Sequence, residues 1–154
     1  MDESSPGRLL ALDLGDVRIG MAISDPLGIT AQPLPHLEAG KLGTRRLAAR
    51  VATEARRHEA VGVVIGLPLL LSGEEGTRAQ KSREFAAALT PQLPGVAVHL
   101  WDERLSTVEV ERVMIAGNVR RRRRREKIDS LAAVLILQGF LDARCAVGPT
   151  RSDP

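Results

Sequence analysis

Aromatic residues are nearly missing from this chain, with two Phe, one Trp and no Tyr in 154 residues. That leaves little material for a platform that stacks unpaired bases, so a nucleic-acid contact would run through backbone phosphates. The single cysteine, Cys145, cannot form an internal bridge and points to a reducing compartment. It also removes any cysteine-rich zinc site, and His36, His58 and His99 show no ligand spacing among themselves. No apolar run approaches the roughly 20 residues needed to span a bilayer. The opening MDESSPGRLL lacks the basic flank and apolar stretch of a signal peptide. Neither a G-x-S-x-G elbow nor a Walker phosphate loop occurs. The expectation is a soluble cytoplasmic protein with no membrane partner.

What the chain does have is charge in one place. The formal net charge is +3, yet Arg120, Arg121, Arg122, Arg123, Arg124 and Arg125 stand in an unbroken row, and the rest of the chain is net acidic. Such a block repels itself and attracts polyanions, and each phosphate it neutralises makes binding more salt-sensitive. A solubilising loop or a localisation tag would account for it too.

Periodicity divides the chain into alternating elements. Leu9 to Leu14 reads as a buried strand stopped by Gly15, Arg18 to Ser24 as its hairpin partner, and Ile29 to Leu37 as a proline-interrupted strand for a sheet edge. Helical spacing covers Thr44 to Glu59, with arginines on the polar side. Val61 to Ile65 and Val96 to Trp101 are further strands. Ser72 with Glu75, and Ser106 with Glu109, have capping-box spacing, predicting helices to Leu89 and Ala116. After the arginine loop, Ile128 to Ala143 forms a last, mostly buried helix. The reading is an α/β fold, a mixed five-stranded sheet (a three-strand meander, then parallel strands) flanked by helices. One domain at 9–143 lies between tails at 1–8 and 144–154.

Chemistry in such sheets gathers beyond the carboxyl ends of the strands. Asp13 interrupts an apolar strand there, on the face of Leu9 and Ala11. A carboxylate so placed needs a hydrogen bond, a cation or a paired charge; a local bond to the Gly15 turn is the plain alternative. Asp102 and Glu103 follow the last strand, where, taken alone, an exposed acid paired with Arg104 is the favoured reading. Asp129 starts the last helix on the side of Ala132, Ala133 and Ile136, where the helix dipole alone would favour an acid. Together, three distant segments can bring carboxylates to one end of one sheet. Hard divalent ions take such ligands, and two of them can serve phosphodiester hydrolysis.

The same segments resemble the YqgF/RuvX family of RNase H-like proteins. Leu12 to Gly20 is similar to its opening D-x-G-x-x-R-x-G pattern, and Val64-Ile65-Gly66-Leu67-Pro68 to its central loop. Asp102-Glu103-Arg104-Leu105-Ser106-Thr107 is similar to its D-E-R-[LF]-[ST]-T stretch, and Asp129 to Gln138 to its closing helix. Leu70 and Ser72 depart from it, standing where related loops often carry Asn and Asp.

The resemblance implies an RNase H-like fold and a nuclease with catalytic, metal-binding Asp13, Glu103 and Asp129. It implies Mg²⁺ or Mn²⁺, with Arg18 and Arg104 as phosphate or acid partners; the mechanism expected from this has Asp13 bridging two ions, with Glu103 and Asp129 each holding one. The implied substrate is the 5′ end of the 16S rRNA precursor, with four-way DNA junctions as the alternative and a monomer or a homodimer as the working form. Two other readings are a non-catalytic RNA-binding assembly factor and an actin-like ATPase. The second would need two such lobes around the nucleotide.

Overall fold

A run of residues that is apolar on both faces belongs in the middle of a sheet, and Leu9 to Leu12 lie there. The computed structural model of the protein describes residues 7–70, 72–103 and 124–151, with the side chains of the last segment described for 131–144. Among the described residues there are five strands: β1 (Arg8–Leu14), β2 (Arg18–Ser24), β3 (Ala31–Glu38), β4 (Ala60–Leu67) and β5 (Ala97–Asp102). They form one sheet in the order β3-β2-β1-β4-β5. The first three make an antiparallel meander, while β1, β4 and β5 run parallel. The carboxyl ends of those three, Leu14, Leu67 and Asp102, therefore share one pole.

The helices α1 (Thr44–Arg57) and α2 (Thr77–Leu89) cover one face of the sheet, and α3 (Arg124–Arg151) covers the other. Strand alternation sorts the core accordingly. Leu10, Leu12, Val63 and Ile65 pack with Ala48, Val51 and Phe85, whereas Leu9, Ala11 and Val64 pack with Ala133, Ile136 and Leu137. Each fully buried Leu or Ile contributes about 1.5–3 kcal/mol over its exposed state. Gln138 pins α3 to the start of β3: its Oε1 accepts from Ala31 N at 3.1 Å and its Nε2 donates to the Ile29 carbonyl at 3.0 Å.

Several boundaries differ from the sequence expectation, each for a local reason. β3 starts at Ala31 rather than Ile29 because the Asp25 carboxylate accepts from both Ile29 N and Thr30 N at 2.7 Å, holding them in the turn. α1 stops at Arg57, and Glu59 adopts φ 57, a left-handed exit more often made by glycine. The capping box from Ser72 to Glu75 does not form. Leu69 bridges Glu75 and Leu70 N donates to the Glu74 carbonyl at 2.9 Å, so a tight turn uses these residues and α2 begins after Gly76. The last helix runs from Arg124 to Arg151, past both ends of the 128–143 expected. Arginine is a good helix former, so Arg124 and Arg125 continue the helix rather than the loop, and the segment read as a tail from 144 is helical to Arg151. The helix expected from Ser106 to Ala116 lies outside the described residues.

Among the described residues no helix is long and apolar enough to cross a membrane.

Candidate active site

Register places the acids. Leu12 pairs with Ile65 across β1 and β4, and Gly66 pairs with Trp101 across β4 and β5. Asp13 is thus level with Gly66, and Glu103 follows one residue beyond the end of β5. Asp13 continues the alternation of Leu9 and Ala11, and Glu103 that of His99 and Trp101, so both belong to the α3 face. Both are half-buried. Asp102 falls on the opposite face with Val98 and Leu100, which pack toward α1 and α2. That alternation separates the adjacent pair and leaves Glu103 as the acid on Asp13's side.

The residue between them has no side chain. β4 lies between β1 and β5, so the outer two strands are about 10 Å apart at two inter-strand spacings. An ideal Cβ on Gly66 would sit 2.6 Å from Glu103 Oε2 and 2.7 Å from Ile136 Cδ1. Carbon does not approach an oxygen or a methyl that closely without displacing it. The Glu103 carboxylate therefore lies over the bare backbone of β4, reaching from β5 toward Asp13. In the sequence Gly66 falls just after the strand expected at Val61 to Ile65, in the segment similar to the family's central loop. The signal for its role is a glycine inside an apolar run, which marks close approach of another group.

Gly15 is required for a second reason. A Cβ there would lie 2.7 Å from the Arg18 carbonyl oxygen, to which Gly15 N donates at 3.0 Å. The backbone thus closes the β1–β2 turn, and the Gly15 amide does not wait on Asp13 for an acceptor.

Arg18 shares the pole. It alternates with Gly20 and Ala22 onto the α3 face, and its Nε lies 3.7 Å from Glu38 Oε2 on the neighbouring strand. Asp129 lies in α3, four residues before Ala133 and seven before Ile136, both of which pack on the sheet. Its side chain, like those of Arg124 and Arg125, is outside the described set, and Arg104 and Arg120 to Arg123 are outside the described residues altogether. Trp101 packs edge-on against Phe140 at 5.6 Å. Burial first, then the charge of Arg144, holds the His99 imidazole below its ordinary range, so it offers no cation to a phosphate at neutral pH.

Carboxylates at a strand-end pole are the hard oxygen donors that Mg²⁺ and Mn²⁺ take, and Gly66 leaves space where Glu103 reaches across. Among the described residues no group of three acid, histidine or thiol side chains closes on a metal. A third ligand would have to come from beyond them, and Asp129 is the acid on the adjoining helix.

A meander continued by two parallel strands in this order, helices on both faces, is the RNase H-like fold. In fold the chain is similar to the RuvC protein of Thermus thermophilus, solved in complex with a Holliday junction substrate. The match has a TM-score of 0.60 at 16% identity, over 90% of this chain and 96% of that one.

The chain belongs to the RuvX family, described as a Holliday junction resolvase, whose model matches residues 7–143. A relative from Myxococcus xanthus is 51% identical over 136 residues, covering 88% of each chain. One from Koribacter versatilis is 46% identical over 148 residues, covering 96% of this chain and 93% of its own. Both carry the provisional name pre-16S rRNA nuclease.

Proposed function

We propose that this protein is a cytoplasmic, divalent-metal-dependent nuclease that trims the 5′ end of the 16S rRNA precursor, with Asp13, Glu103 and Asp129 as its metal ligands. The observation that carries the reading is the Glu103 carboxylate laid over Gly66, on the face and at the level of Asp13. The names of the relatives support the substrate.

Two ions held there, Mg²⁺ or Mn²⁺, would supply the Lewis-acid activation and charge neutralisation that phosphodiester hydrolysis needs. The protein's own share is placement. Asp13 is fixed by a central strand with neighbours on both sides, so its carboxylate has little freedom to drift. Glu103 is confined by Gly66 below it and Ile136 beside it. Arg18, on the same face, would bind a substrate phosphate, and Arg104 follows Glu103 directly in the chain. The arginines from Arg120 to Arg125 would grip the polymer by its backbone without reading sequence.

A second reading has a specific observation behind it, since the family model is described as a Holliday junction resolvase. The two are separated by offering precursor 16S rRNA, single-stranded RNA and a four-way DNA junction side by side, in Mg²⁺, in Mn²⁺ and in chelator. The expected result is cleavage only with a divalent ion and fastest on the precursor. Faster cutting of the junction would favour resolution. Binding without cleavage in either metal would leave an RNA-binding assembly factor and refute the nuclease assignment.

A further inference from the structure

The exposed side of α1 carries a feature that the acid pole does not use. The helix buries Ala48, Val51, Ala52 and Ala55 against the sheet. At 100° per residue Arg45, Arg46, Arg50, Arg56 and Arg57 fall within an arc of about 140° on the opposite side. No acid shares that arc. The one carboxylate of the helix, Glu54, lies at its margin and pairs with Arg57 at 3.2 Å, while Arg56 donates to the Gln92 carbonyl at 3.3 Å. Among the described residues no carboxylate pairs with Arg45, Arg46 or Arg50.

Helix physics argues against this arrangement. Arg45 and Arg46 occupy the first turn, where the positive end of the dipole disfavours cations, and no acid in that turn offsets them. Arg46 and Arg50 are a like-charge pair at i,i+4, which is also unfavourable. A solvated face needs only polar residues, and mixed signs would serve it better. A helix that breaks its own electrostatic rules in one stretch is marked for a partner of opposite charge.

Its location and composition say which partner. The Thr44 end lines a cavity shared with Gly15 and Asp16, so Arg45 and Arg46 stand at the pole where the acids are, on the other side of the sheet. The row then runs about 18 Å away from that pole at 1.5 Å per residue. Beside it a cleft of ≈ 650 Å³ between α1 and α2 is lined by Arg45, Arg46, Ala49, Ala87, Pro91 and Gln92. No aromatic side chain stands on the arc or in the cleft, so the face can take phosphates but cannot stack bases.

We propose that the arginine face of α1 is a second backbone-binding surface for base-paired RNA, separate from the acid pole. It deepens the nuclease reading, on which the choice of RNA rests. A folded precursor lying across the pole would touch the acids with one segment and α1 with the next.

The test is the full-length triple variant Arg45→Gln/Arg46→Gln/Arg50→Gln, in which glutamine preserves helix propensity. Affinity for a 20-base-pair RNA duplex, a DNA duplex of the same sequence and poly-glutamate is measured in chelator over a range of KCl. The expected result for RNA is roughly tenfold weaker binding and a salt slope shallower by about two to three, the value for three lost phosphate contacts. The thermal midpoint should hold or rise as like charges are removed. Unchanged RNA affinity and slope would overturn the proposal, as would a loss confined to DNA or to poly-glutamate. Because binding is read without metal, a weaker-binding triple variant of a protein that cleaves nothing would sink the nuclease reading and leave this surface standing.

Discussion

Asp13→Asn is expected to lower cleavage by roughly a thousandfold or more, about 4 kcal/mol of transition-state stabilisation, while leaving the fold intact. Asparagine matches aspartate in shape and keeps one acceptor oxygen, so what it removes is charge. If Asp13 served only to hold the β1–β2 turn, the change would cost stability and little activity. The turn is instead closed by a backbone bond, Gly15 N on the Arg18 carbonyl at 3.0 Å. The substitution removes one charge from a pole that carries both Glu103 and Arg18 and leaves the packing of β1 untouched. Thermal unfolding in chelator should therefore show a midpoint close to the parent's. A lower midpoint with cleavage retained would make Asp13 a structural residue.

Gly66→Ala should cost about a hundredfold in activity, although the change adds a single methyl at a residue with no functional group. The new Cβ would meet Glu103 Oε2 at 2.6 Å and Ile136 Cδ1 at 2.7 Å, so both must move. An ångström of displacement at a catalytic group is enough for a loss of that size. The two contacts can be told apart. Ile136→Val in the same chain relieves the packing contact and should recover stability without recovering activity. In a Glu103→Gln background the added methyl should cause little further loss, because the group it displaces is already inert. Additive losses in that double-mutant cycle would show that Gly66 acts through packing alone.

The parts of the fold that could be read from sequence are those where one pattern decides the outcome. Leu9 to Leu14 is apolar on both faces and so had to be central, while Pro33 and Pro35 kept β3 at an edge, where the structure places it. Arginine opposite alanine and valine fixed the buried side of α1. The misplaced boundaries are those set by contacts that spacing does not encode. Asp25 holds Ile29 and Thr30 through a carboxylate four and five residues back, and the Leu69–Glu75 bridge takes the residues that looked like a cap.

The site divides in the same way. Asp13 stood out because it breaks an apolar strand, and Glu103 because it follows the parallel neighbour two strands away. Which of Asp102 and Glu103 faces Asp13 depends on where β5 ends in its alternation, and only the register settles that. Gly66 escaped notice because its contribution is an absence of atoms, visible only once Glu103 is seen to occupy the space. The arginines of α1 read at first as the ordinary outer side of an amphipathic helix. The placement of Arg45 and Arg46 at the positive end of the helix dipole is what sets that side apart.

Crystals soaked in Mn²⁺ and measured at the manganese edge bear most directly on whether Asp13, Glu103 and Asp129 form one metal centre. Anomalous density is expected at the strand-end pole beside Gly66, within 2–2.5 Å of oxygens from all three acids, and it should vanish in Asp13→Asn. Manganese bound elsewhere, or an Asp129 carboxylate turned away from the pole with Asp13 and Glu103 metal-free, would contradict it.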